Sequence, residues 1–169
     1  MKLNIKDWIK KDLNYFWVIV LIFGILVRLY FFVKTHNQVV WWDEAEYMLL
    51  AKHWVFGTSS YGWFTGRPIL LALMAAPIFW LGIGEIGIRL IIFLMSIGNV
   101  ILTYKLGKEL YDKRIAIVGA FLFSTFHIYL FFANRLLAEV PSLFLGLLAS
   151  YVFIKGYLEK KSTKLTLQY

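Results

Sequence analysis

The sequence predicts an all-α integral membrane protein with about four transmembrane helices and juxtamembrane helices at its outer face. Three observations support this fold class. Of the 169 residues, 60% are hydrophobic and the mean hydropathy is +0.68, whereas a soluble domain is about 45–50% apolar. Four apolar runs have roughly the length that a membrane-spanning helix needs. Basic residues are concentrated in the polar segments that flank these runs.

The net charge of +8 does not indicate a nucleic-acid partner in a chain of this class. Lysines on cytoplasmic loops and contact with anionic membrane lipids account for it. The chain has no cysteine, which excludes a disulfide framework and thiolate chemistry.

The predicted elements follow from hydropathy and charge. In the first span Arg28 lies near the outer end, where we expect its side chain to snorkel to the headgroups. In chain order the elements are a cytoplasmic amphipathic segment at 1–14, spans at 15–33, 86–104, 115–133 and 138–154, an outer loop at 34–85 and a cytoplasmic tail at 155–169.

The short apolar segment 68–82 decides the topology. If this segment does not cross the membrane, 12 of the 18 basic residues lie on one side, which the positive-inside rule makes cytoplasmic. These residues are Lys2, Lys6, Lys10, Lys11, Lys105, Lys108, Lys113, Arg114, Lys155, Lys160, Lys161 and Lys164. We therefore expect four spans, cytoplasmic termini and an interfacial or re-entrant helix at 68–82.

Three carboxylates beside two tryptophans follow the first span, in the stretch Trp41-Trp42-Asp43-Glu44-Ala45-Glu46-Tyr47. Carboxylates close to lipid are costly and often functional, and Asp43 or Glu44 could act as a general base or a metal ligand. The alternative is structural, because Asp43 and Glu46 have the spacing of a variant capping box at a helix start. The spacing alone does not decide between the two.

A second polar group lies before the fourth span. Glu139 precedes Pro141, so it is either a helix-start acid or a functional acid at the membrane surface. Arg67, Arg89 and Arg135 could hold a phosphate through their guanidinium groups, or they could snorkel singly to the headgroups. His127, inside a predicted span, either packs with a hydrogen bond or lines a polar cavity.

Taken in order, these pieces resemble the N-terminal part of the large membrane glycosyltransferases of the C-type fold. The similarity is greatest to the group of protein O-mannosyltransferases and aminoarabinose transferases. It rests on Asp43-Glu44 with Tyr47 after one span, on Gly66-Arg67-Pro68, on Gly-Ile-Gly-Glu-Ile-Gly-Ile-Arg-Leu at 82–90, and on Arg135-Leu-Leu-Ala-Glu139-Val-Pro141.

The resemblance implies inverting transfer of a hexose from a polyprenyl-phosphate donor at the non-cytoplasmic face. Asp43 and Glu139 would be the acids of the first and second outer loops, with Glu44 beside them. Tyr47, Arg67, Arg89 and Arg135 would contact substrate. A divalent metal at Asp43 and Glu139 is compatible with this assignment. The acceptor would be a protein or a lipid-linked hydroxyl, and the location a prokaryotic cell membrane.

Two departures from the family limit the assignment. The aminoarabinose branch has an acid and a lysine before the proline, where this sequence has Gly66 and Arg67. Family members also have more spans, so we expect this chain alone to be inactive, or to work beside a second chain that carries the remaining spans. The alternatives are a non-catalytic remnant, a small membrane subunit, or a transporter fragment. The last is disfavoured because the acids cluster at the interface.

Overall fold

The computed structural model describes residues 5–58 and 66–166, with side chains described for 13–58 and 66–158. All regular elements in these two stretches are helical, which confirms the predicted all-α class. They are α1 (Ile5–Thr35), α2 (Trp42–Phe56), α3 (Leu70–Trp80), α4 (Glu85–Leu110), α5 (Lys113–Thr125), α6 (His127–Phe132) and α7 (Glu139–Thr166).

Three helices among the described residues are long and apolar enough to cross a membrane. They are Leu13–Thr35 within α1, Glu85–Leu110, which is α4, and Glu139–Leu158 within α7. These correspond to three of the predicted spans, and the chain is an integral membrane protein. The helices also extend past the predicted boundaries. From Ile5 onward the predicted N-terminal segment is continuous with α1, and α7 continues to Thr166, inside the predicted cytoplasmic tail.

The remaining predicted span, 115–133, is divided into two helices. Phe126 has an extended conformation (φ −66°, ψ 101°) between the end of α5 and the start of α6. The hydroxyls of Ser124 and Thr125 bond to backbone carbonyls one turn earlier in α5, and such local bonds compete with regular helix continuation. The continuous helix suggested by the apolar run is therefore not formed. That the pair crosses the membrane stays a prediction.

Helix α4 is the centre of the bundle and packs against α1, α3, α5 and α7. In its most apolar stretch 44% of the residues are buried, against 17% in α1 and 11% in α7. The contact with α5 depends on Gly107, where an added Cβ would lie 3.0 Å from Ala116 Cα. The outer sides of α1 and α7 are left to face lipid.

Helices α2 and α3 form a pair beside the bundle. Gly57 ends α2 in the left-handed conformation (φ 65°). Helix α3 has 11 residues, so at about 1.5 Å per residue it is too short to span a bilayer. The core between the two helices includes Tyr47, Met48, Ala51, Leu71, Ala72 and Ala75.

Arg28 does not snorkel to the headgroups, so that expectation is wrong. Its side chain is completely buried, donates to Ser96 Oγ at 2.8 Å and to the Gly24 carbonyl at 3.1 Å, and lies 5.8 Å from the ring centre of Phe123. These partners inside the bundle replace the headgroups that an outward-pointing arginine would contact.

Candidate functional site

The start of α2 separates its acids onto two sides. The helix begins at Trp42, so Glu44 rather than Glu46 is the capping acid. Glu44 Oε2 accepts the backbone N–H of Trp41 at 2.6 Å. The structural alternative, in which Asp43 and Glu46 form a capping box, is therefore wrong in its choice of residues. Glu46 lies beside Asp43, and both are on the side of the helix that faces away from Glu44 and its partners.

Asp43 and Glu46 share one arginine. Arg67 Nη2 donates to Asp43 Oδ1 at 2.6 Å, and Arg67 Nε donates to Glu46 Oε2 at 2.7 Å. Arg67 comes from the short segment before α3, so the α2–α3 packing brings the three charges together. The hydrogen bond that Arg67 donates to Glu46 is the main cause that raises the pKa of Arg67 above its ordinary value; burial lowers it, and the charge of Asp43 raises it further. Arg67 therefore stays cationic.

The groups on this side differ in how accessible they are. The side chain of Asp43 is 48% exposed and that of Arg67 is 37% exposed, whereas that of Glu46 is only 12% exposed. Glu139, the first residue of α7, is exposed. Asp43 and Glu139 are therefore the two acids of this set that a substrate can reach.

Tyr47 lies next to these charges. Burial is the main cause that raises the pKa of its phenol, Arg67 lowers it, and the charges of Glu139, Asp43 and Glu46 raise it further. Tyr47 is thus a neutral hydrogen-bonding group at physiological pH. The charges of Asp43 and Glu139, the predicted acids of the two outer loops, thus both act on this phenol. We call Asp43, Glu46, Tyr47, Arg67 and Glu139 the Arg67 face.

Glu44 points the other way and is completely buried. Its Oε1 accepts the backbone N–H of Leu136 at 2.7 Å, and its Oε2 accepts a hydrogen bond from Arg135 Nη1 at 3.4 Å. Arg89 Nη1 lies 4.0 Å from Oε1. With the bond from Trp41, this carboxylate ties the start of α2 to α4 and to the turn before α7. We call Glu44, Arg89 and Arg135 the Glu44 network.

The two arginines of the Glu44 network are also engaged elsewhere. Arg89 is 1% exposed and donates to the backbone carbonyls of Asn134 at 2.7 Å and Gln38 at 3.2 Å. The guanidinium carbon of Arg135 lies 3.9 Å from the ring centre of Trp41. Of the three arginines predicted to hold a phosphate, only Arg67 is partly exposed.

The described residues contain no group of three or more His, Cys, Asp or Glu side chains that could hold a metal ion. A metal at Asp43 and Glu139 would therefore have no third side-chain ligand of these types in the described ranges. It would also have to displace Arg67 from Asp43.

Sequence reasoning missed Glu46 as a member of the site. The available signal was its spacing of three from Asp43, which places the two acids on neighbouring positions of one helix face. No local pattern indicates that Arg67 pairs with these acids, because it is 24 residues from Asp43 along the chain. His127 is exposed and contributes to the lining of a mostly apolar cavity, and neither of the two roles considered for it is decided by this position.

Comparison with known proteins gives one match. Residues 66–168, more than half of the chain, match the model of the family described as dolichyl-phosphate-mannose-protein mannosyltransferase. No curated protein and no solved structure matches the chain. The matched range includes Arg67, Arg89, Arg135 and Glu139, and it starts after α2. The chain therefore belongs to the dolichyl-phosphate-mannose-protein mannosyltransferase family of glycosyltransferase-like membrane proteins.

Proposed function

We propose that this chain, working beside a second membrane chain, transfers a hexose from a polyprenyl-phosphate donor to an acceptor hydroxyl, with Asp43 as the general base. The observation that supports this proposal best is the accessibility of Asp43. Asp43 is the half-exposed acid at the start of α2 and lies next to Arg67, which stays cationic. Its neighbour Glu44 is buried. Carboxylates in such positions are suited to accept a proton from a bound hydroxyl.

The reaction is a single displacement at the anomeric carbon. The acceptor oxygen forms a bond to this carbon while the bond from the carbon to the phosphate oxygen breaks. The proton of the acceptor hydroxyl moves to Asp43, and the bonding electron pair leaves with the polyprenyl phosphate. Attack opposite to the leaving group inverts the anomeric configuration.

Arg67 is the cation that we assign to the leaving phosphate. Its Nε and Nη2 bond to Glu46 and Asp43, and within the described part of the chain its Nη1 forms no hydrogen bond. A guanidinium group that two carboxylates hold in place can stabilise a developing negative charge without reorganising. The exposed Glu139 would then orient the acceptor, whereas Tyr47 is 4% exposed and packs in the core between α2 and α3.

The site is proposed to lie at the non-cytoplasmic surface of a prokaryotic cell membrane, with both termini in the cytoplasm. Exposed tryptophans support a position at the headgroup level, since Trp41 and Trp42 are 51% and 66% exposed beside Asp43. The donor lipid would approach from the bilayer, and the acceptor would be a protein or a lipid-linked hydroxyl.

A second candidate is a non-catalytic membrane subunit. The observation in its favour is that Arg67 already pairs with Asp43 and Glu46, an arrangement that can simply join α2 to the start of α3. The two candidates differ in whether a charge-neutral replacement of Asp43 changes sugar transfer.

The test is a transfer assay in membranes of cells that express the chain, so that any second membrane chain is present. The donor is polyprenyl-phosphate mannose and the acceptors are serine- and threonine-containing peptides. We expect transfer to fall by about 10²- to 10⁴-fold in Asp43→Asn. Transfer that is absent in the wild type, or unchanged in Asp43→Asn, would contradict the proposal.

Asp112→Asn is the matched control for this assay. Asp112 caps α5 through bonds from the backbone N–H groups of Arg114 and Ile115 at 2.7 and 2.9 Å. Asn caps helices about as well as Asp, so this variant makes the same change of charge away from the Arg67 face. Its activity is expected to equal that of the wild type.

The side of the membrane is tested separately. The chain has no cysteine, so single cysteines can be placed at the exposed positions Thr58, after α2, and Tyr111, between α4 and α5. A membrane-impermeant maleimide should label Thr58→Cys from outside intact cells and Tyr111→Cys only after the cells are opened. Labelling of both from outside would overturn the proposed topology.

A further inference from the structure

A cavity of about 340 Å³ lies between the C-terminal end of α1, the link to α2, and α6. This volume is within the usual range for ligand pockets, about 300–1,000 Å³. Its lining contains no residue of the Arg67 face. Five polar residues contribute to the lining, namely Thr35, Gln38, His127, Asn134 and Arg135.

Two of the polar lining groups are already satisfied. Thr35 Oγ1 donates to the Phe31 carbonyl at 2.7 Å and accepts from Asn134 Nδ2 at 3.1 Å. The charge of Arg135 is opposed by Glu44, and its guanidinium group is stacked over Trp41. The cavity therefore does not offer a free cation to an anionic ligand.

The remaining polar lining residues have hydrogen-bonding atoms without a partner among the described residues. The Oδ1 atom of Asn134 is buried and has no hydrogen-bond partner. Within the described part of the chain, neither the carboxamide of Gln38 nor the imidazole of His127 forms a hydrogen bond. A carboxamide combines a donor with an acceptor, and an imidazole has two ring nitrogens that can form hydrogen bonds. A ligand that brings only acceptors, such as a phosphate, would leave half of these groups unpaired.

The rest of the lining is apolar. Phe31, Leu130 and Phe131 contribute to it, and the ring of Phe131 is 44% exposed at the surface of the bundle. Pockets that combine apolar walls with a few convergent polar groups are typical small-molecule sites. The position at the end of the α1 span and beside Trp41 corresponds to the headgroup level of a membrane.

We propose that this cavity binds a neutral, hydroxyl-rich headgroup at the membrane surface. A hydroxyl is both a donor and an acceptor, so it matches the free groups of Gln38, His127 and Asn134. The chemistry is that of a sugar or another polyol, carried on a lipid or free in solution. The site is separate from the Arg67 face, and its occupancy does not depend on sugar transfer there.

The test counts the lipids that stay bound when the purified chain is released from nanodiscs in native mass spectrometry. The nanodiscs contain phosphatidylcholine with a minor fraction of either glucosyl diacylglycerol or phosphatidic acid. We expect retention of the glucolipid about tenfold above phosphatidylcholine, which corresponds to a net gain from one or two hydrogen bonds. Retention of phosphatidic acid equal to that of the glucolipid would overturn the proposal.

The double variant Gln38→Ala/His127→Ala should reduce glucolipid retention to the phosphatidylcholine level. The matched control is His36→Ala/Asn37→Ala, which removes an imidazole and a carboxamide from the same link outside the cavity lining. Retention that survives the first double variant, or is lost equally in the control, would contradict the assignment. If soluble methyl glucoside displaces the glucolipid, the site recognises the headgroup alone. If it does not, the site requires the lipid-borne form.

Discussion

Asp43 and Glu44 are adjacent in the sequence but lie in opposite environments. Asp43 is half exposed and pairs with Arg67 at the surface, whereas Glu44 is fully buried and accepts bonds from two backbone N–H groups and Arg135. Successive helical positions point about 100° apart, so neighbours in a helix need not share a role. We conclude that one of these acids is available for chemistry while the other holds the surrounding segments together.

The Glu44 network and the Arg67 face also differ in how much their charged groups are removed from water. A carboxylate that is removed from water is stable only if its hydrogen bonds and counter-charges are in place. Glu44 meets this requirement through contacts to three separate segments. The Arg67 face remains partly hydrated, and exposed ion pairs contribute little to stability. Stability measurements and activity measurements should therefore separate the two regions.

The largest expected effect on stability is that of Glu44→Ala. It removes the acceptor of two backbone N–H groups and leaves Arg89 and Arg135 as buried charges without a carboxylate. We expect a loss of about 3–5 kcal/mol in the free energy of unfolding, measured by titration with a denaturing detergent. Glu109→Ala, at a partly exposed position of α4, is the control. A loss of stability in Glu44→Ala no larger than that in Glu109→Ala would contradict the structural role of Glu44.

A smaller loss is expected for Arg135→Met. Glu44 then keeps its two backbone donors and Arg89, but loses the hydrogen bond at 3.4 Å, and Trp41 loses the stacked guanidinium. We expect about 1–3 kcal/mol in the same titration. Arg114→Met changes an exposed arginine of α5 and should have little effect. Equal effects of both variants would show that the Glu44 network does not depend on Arg135.

Arg67→Gln should separate activity from stability. Its side chain is 37% exposed, so we expect only a small change in melting temperature. In the transfer assay we expect a large loss, since the neutral side chain can neither hold Asp43 nor stabilise a leaving phosphate. A melting temperature that falls as far as that of Glu44→Ala would mean that Arg67, like the Glu44 network, is required for stability.

The smallest expected effect is that of Glu139→Gln. Glu139 is exposed at the start of α7, and the role assigned to it is orientation of the acceptor beside Tyr47. We expect a higher KM for the acceptor, with a smaller change of kcat and an unchanged melting temperature. An effect as large as that of Asp43→Asn would instead make Glu139 the base.

Much of the fold could be predicted because it follows from local patterns. Apolar runs of sufficient length predict the three long apolar helices that the structure contains. The break at Phe126 could not be predicted, because no proline or glycine marks it. It depends on hydroxyl bonds of Ser124 and Thr125 within the last turn of α5.

The site was only partly predictable for a related reason. The residue types that could carry chemistry are visible in the sequence, but burial is not. Arg67 and Arg89 have the same chemistry and the same expected phosphate contact, yet one is partly exposed and the other is 1% exposed. Their separation depends on tertiary contacts to residues more than 20 positions away, which no short motif contains.

The division between Asp43 and Glu44 can be tested most directly in the unmodified chain. Carboxylates that are open to solvent react with a water-soluble carbodiimide and a labelled amine, and tandem mass spectrometry resolves the two adjacent residues. In the folded chain we predict that Asp43 is modified many times faster than Glu44, and that the difference disappears on denaturation. Equal rates in the folded chain, or faster modification of Glu44, would contradict the account.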